Sequence, residues 1–119
     1  MHASLVNAGV LDHPISGKTV VGFVVQASTR KLEHLRRSRR ATVVWRHGWA
    51  WGSVEGPVDI IGPDDDFDGF DPARLPELLR AVFQGAGGTH GDWEEYDRVM
   101  VAERRTAVLL HPQRVLARS

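Results

Sequence analysis

Apolar positions in this 119-residue chain recur at two periods, every second residue or every third to fourth, and the periods mark out its elements. Residues 3–10 and 19–26 have strand character. Leu5, Val6 and Val10 mark the first, and Thr19-Val20-Val21-Gly22-Phe23-Val24-Val25-Gln26 is a β-branched run suited to a largely buried strand. Asp12-His13-Pro14 and Ser16-Gly17-Lys18 supply turn residues between them, which predicts a hairpin. Over residues 30–37 the apolar positions shrink to Leu32 and Leu35, a narrow stripe on a short helix that Ser28 or Thr29 is placed to cap. Strands return at 41–46 and 49–61. Gly56-Pro57 inside the longer one predicts a bulge or an edge position, because proline has no N–H for a ladder.

The clearest helical spacing is Leu75, Leu78, Leu79, Val82 and Phe83. Pro76 suits its first turn, which makes Asp71-Pro72 a preceding turn, and the glycines of 85–88 end it. A third helix is predicted over about residues 92–104, burying Trp93, Tyr96 and Met100, followed by short strands at 106–110 and 115–117 around His111-Pro112. The order is β-β-α-β-β-α-α-β-β. Strands in adjacent pairs favour an antiparallel barrel with helices at its ends over a βαβ sheet.

The length suits a single domain spanning 1–119. Fifteen basic residues balance fifteen acidic ones, which argues against a nucleic-acid partner. There is no cysteine, so disulfides, cysteine-held zinc, iron–sulfur clusters and thiol nucleophiles are excluded. No run approaches the roughly 18 apolar residues of a membrane span. Met1-His2-Ala3-Ser4 lacks the basic and apolar regions of a secretory signal, so a cytoplasmic location without membrane contact is expected.

Ser28-Thr29-Arg30-Lys31 carries the strongest chemical signal. Cations at a helix N-terminus cost roughly 0.3–1 kcal/mol each against the helix dipole. Two cations and two hydroxyls beside free N–H groups become favourable when an anion, above all a phosphate, sits among them. The same residues are equally compatible with cations that simply reach into solvent. Arg36-Arg37-Ser38-Arg39-Arg40 reads as a solvated basic face that adds positive potential nearby. Trp49 and Trp51 are two apart and share a face, which suits a planar ligand, a dimer interface or a core.

Three further signals point nowhere. Asp64-Asp65-Asp66-Phe67-Asp68-Gly69 opens like a calcium loop, but its twelfth position is Leu75 in place of an acid. The histidines at 2, 13, 34, 47, 90 and 111 lack zinc-site spacing, so no metal is expected. Gly85-Ala86-Gly87-Gly88 follows a helix instead of opening one, unlike a phosphate loop.

Several stretches together resemble the pyridoxamine-phosphate-oxidase-like family. They are Ser4-Leu5-Val6-Asn7, residues 29–37 leading into Ala41-Thr42-Val43-Val44, residues 49–56, and residues 89–100 followed by Arg104-Arg105. The last segments are similar to the actinobacterial branch that uses the deazaflavin coenzyme F420. The resemblance is collinear over nearly the whole chain.

It implies a mainly β fold with helices: a six-stranded antiparallel split β-barrel of FMN-binding type that forms homodimers with cofactor at the interface. It also implies a chain that starts without the family's N-terminal helix and first strand. Lys31 would hold the cofactor phosphate, with Ser28, Thr29 and Arg30 beside it. Trp49 and Trp51 would reach across from the partner subunit, and Val24 and Ser4 would approach the ring system. The implied activity is that of an oxidoreductase passing hydride between F420 and a small organic substrate. An FMN-dependent oxidoreductase and a non-catalytic cofactor-binding protein are the alternatives.

Overall fold

The computed structural model describes residues 3–5, 8–47 and 50–118; the side chains of residues 3–5, 46, 47 and 118 are outside that description. Its strands are β1 (Ala3–Leu5), β2 (Gly9–Asp12), β3 (Thr19–Gln26), β4 (Arg40–His47), β5 (Ala50–Ile61), β6 (Arg105–Leu110) and β7 (Arg114–Arg118). The helices are α1 (Arg30–Ser38), α2 (Leu75–Gly85) and α3 (Trp93–Ala102), with a 3-10 turn at Pro72–Arg74 leading into α2. Asp71 caps that turn through Ala73 N–H, as the two prolines require, and α2 continues from it without a side-chain cap of its own. No helix among the described residues is long and apolar enough to cross a membrane.

The strands form a split barrel along the path β1-β4-β5-β6-β3-β2, with β7 also on β5. All pairings are antiparallel except β1 with β4. The path does not close: β1 and β2 are its two ends, and among the described residues no ladder joins them. The strand predicted at 3–10 is therefore two strands. β1 runs parallel to β4 on one sheet and β2 antiparallel to β3 on the other. A change of partner leaves no trace in an apolar pattern, which reports burial and not pairing.

Alternation along β3 divides the core in two. Phe23 and Val25 face a first cluster with Ala41, Val43, Val54, Val58, Ile60, Val108 and Leu110. The helix α1 plugs this side with Leu32 and Leu35, both essentially fully buried and each worth roughly 1.5–3 kcal/mol of transfer free energy. Its ends are well formed. Thr29 Oγ1 accepts Leu32 N–H at 3.3 Å, and Arg39 in the left-handed region (φ 55°) donates its N–H to Leu35 C=O at 2.8 Å. On the other face Val20 joins Ile61, Ala107 and Leu109 under α2, which contributes Leu78, Leu79 and Val82. From α3 only Tyr96 is fully buried there.

The bulge expected at Gly56-Pro57 lies opposite these residues, in the segment that faces them, while β5 itself keeps unbroken register with β4. On its free edge β5 pairs first with β7 (Glu55 with Arg114) and then with β6 (Val58 with Leu110). Two residues, Gly56 and Pro57, thus lie opposite three, His111 to Gln113. His111 N–H bonds Pro57 C=O at 2.8 Å and Gln113 N–H bonds Glu55 C=O at 2.9 Å. A Cβ on Gly56 would sit 1.8 Å from the His111 carbonyl oxygen, so only glycine fits.

The bulge also turns the His111 ring toward Asp59, whose Oδ2 accepts His111 Nε2–H at 2.7 Å and His13 Nε2–H at 2.9 Å. His13 is buried after β2, and its Nδ1 accepts the N–H groups of Ile15 (3.1 Å) and Ser16 (3.3 Å). One carboxylate oxygen therefore ties the β2–β3 turn to β5 and to the end of β6.

Two substitutions test this junction. Gly56→Ala is expected to lower unfolding free energy by about 1–3 kcal/mol in urea titrations, while Gly91→Ala, which meets open space, stays within about 0.5 kcal/mol of wild type. Asp59→Ala leaves the buried His13 N–H without its acceptor and is expected to cost about 1–3 kcal/mol; a neutral result would mean that water replaces the carboxylate.

Candidate functional site

The strand β3 delivers the chain to the start of α1, where four of the residues singled out from sequence come together. Thr29, not Ser28, is the cap. Its hydroxyl accepts from Leu32 N–H and commits its one proton to Gln26 C=O at 2.9 Å. The first intrahelical bond is Glu33 N–H to Thr29 C=O, so helix geometry leaves the N–H groups of Arg30 and Lys31 without intrahelical acceptors. Ser28 and Arg30 are exposed.

Lys31 is half-buried, with Nζ 5.5 Å from the centroid of the Phe23 ring. Burial pushes its pKa below the ordinary lysine value. Among the described residues no carboxylate pairs with Arg30 or Lys31. A desolvated, unpaired ammonium beside two free N–H groups on a helix N-terminus is an arrangement that an anion completes.

The remaining basic run is largely spent on the fold. Arg36 grips Asp65 with Nε 2.8 Å from Oδ2, and Arg40 bonds Gln113 at 2.8 Å and lies 3.6 Å from Glu55. Asp64 pairs with Arg104. The acidic turn after β5 is accordingly an anchor for α1 and for the start of β6, and Arg36 and Arg40 are tied down where a solvated basic face was expected. Arg37 and Arg39 stay exposed.

The other expected site residues are dispersed. Val24 points to the α2–α3 side of β3, opposite Phe23 and Lys31, so within one chain it does not share a surface with the anion site. Trp51 is 42% exposed on β5. Trp49 lies outside the described residues, as does the side chain of Ser4, whose backbone pairs with Val43. Trp45, unassigned in the sequence reading, lies flat over Gly52, where a Cβ would meet its ring at 2.1 Å. Trp45 lines, with Val43, Val54 and Val115, an apolar mouth of about 310 Å³ at the open end of the barrel.

Two features were invisible in the sequence. One is the cluster of His13, Asp59 and His111, whose ligand atoms lie within 4.8 Å of one another. A metal needs the Nε2 lone pair of His13, and that nitrogen carries the proton because Nδ1 accepts two backbone N–H groups. The cluster is built as a hydrogen-bonded tie. The other is a cavity of about 380 Å³ between β3, α2 and α3, lined by Val24, Phe83, Tyr96, Met100 and Arg105 among others.

No family model matches the chain. Its structure is similar to a conserved hypothetical protein from Mycobacterium tuberculosis (18% identity, 92% of this chain and 74% of that one, TM-score 0.57). It is also similar to a pyridoxamine 5'-phosphate oxidase-related, FMN-binding protein from Nostoc punctiforme (13% identity, 88% of this chain and 62% of that one, TM-score 0.56). A third likeness is to a protein of unknown function from Agrobacterium tumefaciens (14% identity, 93% of this chain and 49% of that one, TM-score 0.53). The chain thus spans about three-quarters, three-fifths and half of these proteins. At such identities the likeness is one of fold alone: this chain shares the open split-barrel architecture of these proteins.

Proposed function

We propose that this protein binds a phosphate-bearing flavin-type cofactor, FMN or the deazaflavin F420, with its phosphate at the start of α1, and acts as an oxidoreductase on a small organic substrate. The observation that carries the reading is Lys31, a half-buried cation without a carboxylate among the described residues, next to the free N–H groups of Arg30 and Lys31. Lys31 supplies the charge, Arg30 closes the outer side, and Thr29 holds the turn in shape without touching the ligand. Such a cofactor supplies hydride or electron transfer when bound; the protein orients it and excludes water.

The basic run gives little reason to prefer the more anionic F420 tail, since Arg36 and Arg40 are engaged elsewhere. The FMN-binding neighbour favours FMN at the level of fold, and the sequence resemblance favours F420. A homodimer accords with the apolar barrel mouth, where Val10 and Val115 are each about 60% exposed.

Titration of the full chain with FMN and with F420, followed by tryptophan quenching, separates the two cofactors, and light scattering reports the dimer. Lys31→Ala is expected to weaken the preferred cofactor by about tenfold to a hundredfold while the thermal transition stays in place. Wild-type affinity is expected to fall as pH rises toward the lowered Lys31 pKa, because the ammonium is needed and deprotonates earlier than an exposed lysine would; the variant loses that dependence. Unchanged affinity in Lys31→Ala would remove the phosphate from this helix.

A further inference from the structure

The helix α3 covers its part of the sheet incompletely. Tyr96 is its one fully buried residue, Val99 and Val101 face solvent, and the chain beneath its second half is hollow on both sides of Met100 and Arg105. The hollow toward the 3-10 turn, about 270 Å³, has prolines and aliphatic groups on its walls, three charged residues (Asp97, Arg104 and Arg105) at its rim, and no aromatic ring. The one toward β3, about 380 Å³, differs in kind: its walls include the rings of Phe83 and Tyr96 and the thioether of Met100, its floor is Val24, and Arg105 is its only charged residue. An apolar pocket with one convergent polar group is the usual form of a small-ligand site, and its size falls within the ~300–1,000 Å³ of such sites.

The ring walls are held from behind. Phe83 and Tyr96 lie 5.1 Å apart at a 32° tilt, and both contact Trp93 nearly edge-on at 6.2 and 5.3 Å. Arg80 clamps this assembly, bonding Asp97 through Nε at 2.9 Å with its guanidinium 5.3 Å from the Trp93 centroid. The Tyr96 hydroxyl is turned to the Leu79 carbonyl at 3.2 Å, so Tyr96 offers the cavity its ring and not its polar end. Arg105 contacts Glu103 only through Nε and Nη2 on the single oxygen Oε1, both at 2.8 Å. The N–H groups on Nη1 are outside that pair, and a planar fork of this type matches a carboxylate.

We propose that this cavity binds a small planar aromatic carboxylate, its ring held by Phe83, Tyr96 and Met100 over Val24 and its carboxylate on Arg105. The site is independent of the proposed phosphate site, because Val24 and Phe23 point to opposite faces of β3 and Lys31 lies over Phe23.

The probes are 1-naphthoate, the neutral 1-naphthamide and the cationic 1-naphthylmethylamine, titrated into the full chain. The Trp93 indole N–H, assigned by its loss in Trp93→Phe, serves as the NMR reporter. Naphthoate is expected to shift this signal and to bind about tenfold tighter than the amide, with the amine weakest. Arg105→Gln is expected to erase the preference for the carboxylate while the amide still binds. Val24→Trp fills the floor and is expected to abolish binding of all three; Met100→Trp does the same from the opposite wall should the first variant fail to fold. Lys31→Ala is expected to leave naphthoate affinity within about twofold of wild type, so a failure of the cofactor reading leaves this result standing. The proposal is overturned if naphthoate at millimolar concentration leaves Trp93 unshifted, if binding survives the folded cavity-filling variant, or if the charge preference persists in Arg105→Gln.

Discussion

Everything in this barrel hangs on the twelve-residue strand β5 and the one-residue excess opposite its Gly56-Pro57. One edge of β5 belongs to β4. The other is divided between β6 and β7, which are a single excursion of chain bent at the bulge. The close approach of the His111 carbonyl to Gly56 makes the bend possible, and the bend in turn moves β7 away from the edge of β3. That separation is the split in the split barrel. The open mouth at Val115 and the tie through Asp59 both follow from it.

The second organising fact is the alternation of β3. Successive side chains serve different halves of the molecule: Phe23 lies under α1 and its unpaired lysine, and Val24 lies under α2 and α3. A strand of eight residues therefore borders two chemically distinct surfaces. One presents a cation and free N–H groups, the other aromatic rings and a guanidinium. The sheet is thin enough to bring them within a few residues in sequence and still keep them apart in space.

What could be read from the residues was whatever is written locally. The period of Leu32 and Leu35 placed α1, and the spacing from Leu75 to Phe83 placed α2. Gly56-Pro57 announced an irregular ladder because both residues carry backbone constraints of their own, though the extra residue proved to be in the segment opposite. The cap and cations of Ser28 to Lys31 were legible for the same reason. Partnerships across the fold were not. Arg36 looked like part of a solvated run because Asp65 stands 29 residues away. His13 and His111 reach Asp59 over 46 and 52 residues, beyond any spacing rule. The parallel contact of β1 with β4 and the hollow under α3 depend on tertiary packing, which no periodicity encodes. Val24 shows the limit most sharply: its position in the strand was clear, but which helix it faced was not.

The helix α1 separates two duties along nine residues. Leu32, Leu35 and Arg36 hold it to the barrel and to the acidic turn, and Ser28, Arg30 and Lys31 contribute little to that attachment. For a lineage carrying this fold, the first turn is therefore ground on which mutation is cheap. The charge presented to a ligand can change one residue at a time, gaining or shedding affinity for more or less anionic molecules, without passing through unfolded intermediates.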